Sequence, residues 1–106
     1  MFNENERYDF IMKVFALEIK LRATWVHSLK EKRMIVQSIV KKIKNNFNVS
    51  VGEIAEHDIH QIIVIGVVGL ALEEKHLEER MEEILLYVEE NTDAEIIDIV
   101  KDKAIF

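Results

Sequence analysis

From residue 10 to residue 22 apolar and polar side chains alternate, with Ile11, Phe15, Leu17, Ile19 and Leu21 on one side and Glu18, Lys20 and Arg22 on the other. A period of two predicts a strand whose far end has one wet face. Residues 23–27 break the alternation, and Ser28-Leu29-Lys30-Glu31 then reads as a capping box, in which the Ser28 hydroxyl and the Glu31 carboxylate each satisfy a free backbone N–H. A helix therefore starts at Leu29. Ile35, Val36, Ile39, Val40, Ile43 and Phe47 recur at three- and four-residue spacing and give it one apolar stripe, with Lys30, Lys41 and Lys44 away from it. Asn45, Asn46 and Asn48 surround Phe47 where the helix must end, since Asn tolerates the left-handed conformation of a helix terminus.

Residues 49–55 predict a short strand, and Glu56-His57-Asp58 a hairpin connection. The next strand, residues 61–71, has Ile63, Ile65 and Val67 alternating with Ile62, Val64 and Val68, so both of its faces are apolar, as in a central strand. Gly66 and Gly69 interrupt it and mark a bulge or a close backbone approach. Leu77, Met81, Ile84, Leu85 and Val88 restore the helical period over residues 73–91, Asn91-Thr92-Asp93 makes a turn, and residues 94–100 form a last strand. The order β-α-β-β-α-β closes most simply into a ferredoxin-like α+β two-layer sandwich: a four-stranded antiparallel sheet, order 4-1-3-2, with both helices on one face. Residues 10–106 then form a single domain preceded by a flexible extension, residues 1–9.

A length of 106 residues with 49% hydrophobic content suffices for one core without staples. Cysteine is absent, which removes disulfides, thiolate metal sites and a cysteine nucleophile and suits a reducing compartment. The polar, acidic start lacks the apolar stretch of a signal peptide, and the longest apolar run, residues 62–72, is far short of the roughly 20 residues that cross a bilayer. A cytoplasmic protein with no membrane partner is expected. The net charge of −6 opposes nucleic-acid binding through the whole surface. Its distribution is uneven: residues 30–44 hold six basic residues and one acid, whereas residues 73–90 hold eight glutamates against Lys75 and Arg80.

Ser28-Leu29-Lys30-Glu31-Lys32-Arg33, followed by Asn46-Phe47-Asn48-Val49-Ser50-Val51-Gly52-Glu53, Asp58 and Gly66-Val67, resembles the YlxP-like family of small bacterial proteins of unknown function. The resemblance implies a ferredoxin-like fold and a contextual association with translation genes. Where that family carries Asp-x-Trp-Gln-Arg, this chain has Asp58-Ile59-His60-Gln61-Ile62, without the aromatic and the arginine.

Three candidate surfaces follow. Lys30, Lys32, Arg33, Lys41, Lys42 and Lys44 could track the phosphates of RNA, in the ribosome or free, although a solvated helix face paired with glutamates of its neighbour is the simpler reading. Trp25, His27, His57, Asp58 and His60 belong to loops that the topology brings to one end, a candidate site for a small ligand; a polar hairpin tip is the plainer account of the His57–His60 stretch, and its spacing fixes no metal geometry. Ile63, Ile65, Val64 and Val68 are candidates for a homodimer face, because half of this strand needs a cover that the chain lacks the elements to supply; which alternation points outward depends on register. No cofactor is implied. The segment 23–28 has no glycine to converge backbone N–H groups on a phosphate, and no nucleophile, base and acid fall into a catalytic order, so a non-enzymatic protein is expected.

Overall fold

The computed structural model describes residues 12–106, and the proposed extension at residues 1–9 lies outside them. The chain forms β1 (Lys13–Arg22), α1 (Leu29–Asn46), β2 (Val49–Ala55), β3 (Ile62–Ala71), α2 (Glu74–Asn91) and β4 (Glu95–Ile105). The sheet order is β2-β3-β1-β4 with every neighbouring pair antiparallel, the ferredoxin-like arrangement that the element order requires. Both helices pack on one face, over a core of Phe15, Leu17, Ile19 and Leu21 from β1, Ile63, Ile65 and Val67 from β3, Val36, Ile39 and Ile43 from α1, and Leu77, Met81, Ile84 and Val88 from α2.

Ser28 caps α1 as expected, its hydroxyl accepting from Glu31 N–H at 3.1 Å. Ser28→Ala is expected to cost about 1 kcal/mol, the usual loss of a side-chain cap; a urea midpoint equal to that of the parent would show that the bond contributes nothing. The C-terminus of α1 differs from expectation. Phe47 leaves the helix in extended conformation, φ −136°, with its N–H on the Ile43 carbonyl, and no left-handed asparagine is used. The exit is held by packing instead. Phe47 meets Tyr87 edge-on at 5.5 Å between ring centroids, and Asn46 Nδ2 donates to the Tyr87 hydroxyl.

The two strand glycines have distinct reasons. At Gly69, opposite Phe15 in the β1–β3 register, a Cβ would lie 2.4 Å from Phe15 Cε2, so the aromatic ring rests on bare backbone. At Gly66, on the other face, a Cβ would meet Ile54 Cγ2 at 2.8 Å. Ile54 is the extra residue where the β2–β3 register shifts, and this bulge lays it across the sheet. The last strand runs to Ile105, five residues beyond the predicted Val100. Its second half, Lys101 to Ala104, pairs with β1 from Leu17 to Val14 but is exposed, so the apolar alternation that would announce a strand fades there.

Candidate functional site

Register fixes which side of β3 is open. Ile63 and Ile65 are fully buried beneath the helices, so the expectation that they belong to a dimer face is corrected: they are core. Val64, Val68 and Leu70 share the uncovered face, Val64 only 8% exposed between its neighbours and Val68 47% exposed. Cross-strand register adds Val14 opposite Leu70, Ala16 opposite Val68, and Val100 beyond Glu18. Glu18, Lys20, Arg22 and Asp98 crowd one end of this face, and toward the other end Val14, Ala16, Val68 and Leu70 form an apolar group bordered by Ser50 opposite Val68 and Asp102 opposite Ala16.

The basic helix separates into two kinds of lysine. Lys32, expected to face RNA, is 1% exposed and cannot. Its ammonium crosses to the β2–β3 hairpin, donating to the carbonyl of Glu56 and, at 2.7 Å, to that of Ile59. Glu53 Oε2 lies 3.1 Å from the same nitrogen, an ion pair without hydrogen-bond alignment. Two hydrogen bonds from the ammonium thus fasten one tight loop, which holds Glu56 at φ 57°, a left-handed conformation that a non-glycine residue adopts at a cost of about 1–2 kcal/mol. Periodicity does carry the signal for this burial: Lys32, Val36, Ile39 and Ile43 recur on one stripe, with the lysine standing where an apolar residue would.

Lys30, Arg33, Lys41, Lys42 and Lys44 are exposed. At about 100° and 1.5 Å per residue, Lys30, Arg33, Lys41 and Lys44 occupy about 80° of the helix circumference over about 21 Å of its length. The simpler reading, in which glutamates of the second helix neutralise them, fails. Among the described residues no ion pair joins α1 to α2; the contact there is Lys42 Nζ donating to the Asn91 carbonyl at 3.1 Å. The α2 glutamates look elsewhere, Glu78 and Glu82 to Lys101 of β4. Hydrogen bonds to Glu82 and then Glu78 push the Lys101 ammonium above its ordinary pKa, and the bond from Lys101 holds Glu78 below the usual carboxylate value.

The loop end is real but divides. Ala23 and Val26 are buried and close a turn, Val26 N–H on the Ala23 carbonyl, with Thr24 and Trp25 at its tip. Gln61, not singled out from the sequence, fastens this turn from just before β3, its Nε2 donating to the carbonyls of Thr24 at 3.0 Å and Val26 at 3.1 Å. Trp25, 45% exposed, looks into a groove of about 330 Å3 shared with α1 and the Asn91–Asp93 turn, away from the histidines. His57 leans back on its own strand, Nε2 3.4 Å from the Glu53 carbonyl. His27, Asp58 and His60 are exposed, and no set of three or more His, Asp or Glu among the described residues is placed to share a metal ion. Of the loop-end candidates Trp25, His27, His57, Asp58 and His60, Trp25 alone lines the groove. Nor, among the described residues, is any helix long and apolar enough to cross a membrane.

The chain is similar to the uncharacterized protein YlxP of Bacillus subtilis (strain 168), 31% identical over 62 residues, which cover 58% of this chain and 67% of that protein. Residues 14–101, from the start of β1 into β4, match the family described as "Protein of unknown function (DUF503)". With that match spanning all four strands and both helices, the chain belongs to the DUF503 family.

Proposed function

We propose that this chain is a non-enzymatic binding domain that engages RNA, free or in the ribosome, through the outer face of α1. The observation that carries the reading is the unpaired state of the α1 cations: Lys30, Arg33, Lys41 and Lys44 stand on one exposed stripe with no ion-pair partner among the described residues. Although the chain carries a net charge of −6, this face is left cationic and presents a local field suited to a polyanion. A row about 21 Å long, two pairs each about one turn apart with a gap of about 12 Å between Arg33 and Lys41, offers several phosphate contacts. Aromatic stacking on the sheet, the habit of many RNA-binding sandwiches, is unsupported, because Phe15 is the aromatic of the described central strands and it is fully buried.

The test is the salt dependence of binding. A short mixed-sequence single-stranded RNA should bind with an affinity that falls steeply with salt, and Lys41→Glu with Lys44→Glu should weaken it and reduce the slope of log K against log salt by about 2, about one per lost phosphate contact. Equal affinity and slope for variant and parent would overturn the reading. Both side chains are exposed and free of partners, so folding should be unaffected.

A second reading, compatible with the first, is homo-association through the open face of the sheet. What favours it is the apolar group toward one end of that face, where Val68 and Leu70 are 47% and 63% exposed beside Val14 and Ala16, with Ser50 and Asp102 at its margins and no element of the described chain above it. Two copies related by a two-fold axis near Val68 would cover each other's apolar end while α1 remained outward on both.

A further inference from the structure

The groove beneath Trp25 touches the basic stripe, and the two together suggest what kind of nucleic acid the domain takes. Trp25 is the sole tryptophan of the chain. Its ring is half exposed although its backbone is among the best-held loop segments, with Ala23 and Val26 buried on either side and two carbonyls of the turn bonded to Gln61. A loosely tethered aromatic would lose conformational freedom on binding; one presented on a clamped turn has already lost it. Facing it across the groove are Met34 and Ser38 of α1, then Lys42, Asn91 and Asp93. Met34 is 65% exposed, and at about 100° per residue it lies about 20–40° around the helix from Lys41 and Lys30, so the groove borders that edge of the row of charges.

We propose, on the footing of the RNA reading above, that this groove holds one unstacked base of a single-stranded RNA, with the base against the Trp25 ring and the adjoining phosphates on Lys30 and Lys41. At about 330 Å3 the groove is at the small end of ligand sites. It suits a single base and is too small for the end of a duplex. Its walls suit a base as well: an indole face and a thioether for the ring, and hydroxyl, amide and carboxylate groups of Ser38, Asn91 and Asp93 for polar edges. Specificity for single strands follows, because a base inside a duplex is already stacked and paired and offers no free face.

The indole provides its own readout. Emission of the parent protein should be quenched as single-stranded RNA is added and left unchanged by the same sequence as a duplex. Trp25→Ala should lose between about fivefold and 150-fold in affinity for the single strand, the range for removal of one base-stacking aromatic, with the salt slope of the parent retained. Trp25→Phe should recover most of the loss, which separates stacking from a folding defect. If the parent binds RNA with the expected salt slope but its emission does not change and Trp25→Ala binds equally well, the base pocket is wrong and the phosphate-tracking helix stands. If the parent binds no RNA at any salt, both readings fail together. Quenching by an apolar peptide and not by RNA would overturn the base assignment and make the groove a peptide site.

Discussion

Methionine in place of Lys32 is expected to lower the unfolding free energy by about 3 kcal/mol, an effect carried by the partners left behind more than by the lysine itself. The substitution keeps most of the aliphatic stem, so the packing against α1's apolar stripe survives. What is lost is the ammonium that bonds the Glu56 and Ile59 carbonyls and pairs with Glu53. Removing one member of a buried pair costs about 3–5 kcal/mol, and the lower end applies here for two reasons. Glu53 retains 18% exposure, so its carboxylate can regain some water, and residues 56–60 are exposed, so the freed carbonyls can be hydrated. Adding Glu53→Gln to Lys32→Met should recover part of the loss, because it removes the unpaired charge, while the hairpin carbonyls still lack their donor. Urea midpoints of these two variants and of Glu53→Gln alone measure the coupling, and amide exchange over residues 56–60 should accelerate in both lysine variants. A Lys32→Met midpoint equal to that of the parent would mean that the ammonium is not confined in the hairpin.

The same lysine shows where a sequence is legible and where it is not. Element order, strand order and the placement of both helices on one face could be read because each depends on periodicity, and periodicity reports burial. β4 was underestimated by five residues at its C-terminal end for the converse reason: Lys101, Asp102 and Lys103 are exposed on both faces of an edge strand, and backbone pairing with β1 leaves no mark on composition. For Lys32 residue type and position disagree, and residue type alone points it outward. Its place on the Val36–Ile39–Ile43 stripe pointed inward, and only the partner, a hairpin 24 residues away, explains how a charge can sit there. The loop-end cluster was half legible. Topology correctly brought the 23–27 turn, the hairpin and the 91–93 turn to one end, yet whether side chains converge is set by rotamers and clamps such as Gln61, which spacing does not encode. The α1 cations were legible as a run, but their freedom from ion pairs depends on Glu78 and Glu82 turning to Lys101, a contact made only in the folded chain.

Lysine at Ile65 and lysine at Val68, three residues apart on β3, are expected to have opposite consequences. Ile65 is fully buried, flanked by Ile19 and Glu53 in the register and covered by the helices. An ammonium there has Glu53 as its nearest carboxylate by register, but that group already pairs with Lys32, so the new charge is uncompensated and costs several kcal/mol, comparable with the whole stability of a domain this size. Ile65→Lys should therefore be unfolded or close to it at room temperature, and Ile63→Lys likewise. Val68→Lys points the other way, 47% exposed on the open face, where a flexible stem can lie on Leu70 and Val14 and carry its charge to water. Its unfolding midpoint should remain near that of the parent. Val64 falls between them, on the open face but only 8% exposed, and Val64→Lys should be folded with reduced stability. Stability alone thus confirms or rejects the register. Association is then decided by sedimentation: if the apolar end pairs with itself, the parent sediments as a dimer and Val68→Lys as a folded monomer, since two like charges would be forced together at the two-fold axis. A parent that remains monomeric at high micromolar concentration rejects self-pairing, and a Val68→Lys protein that remains dimeric moves the interface away from this face.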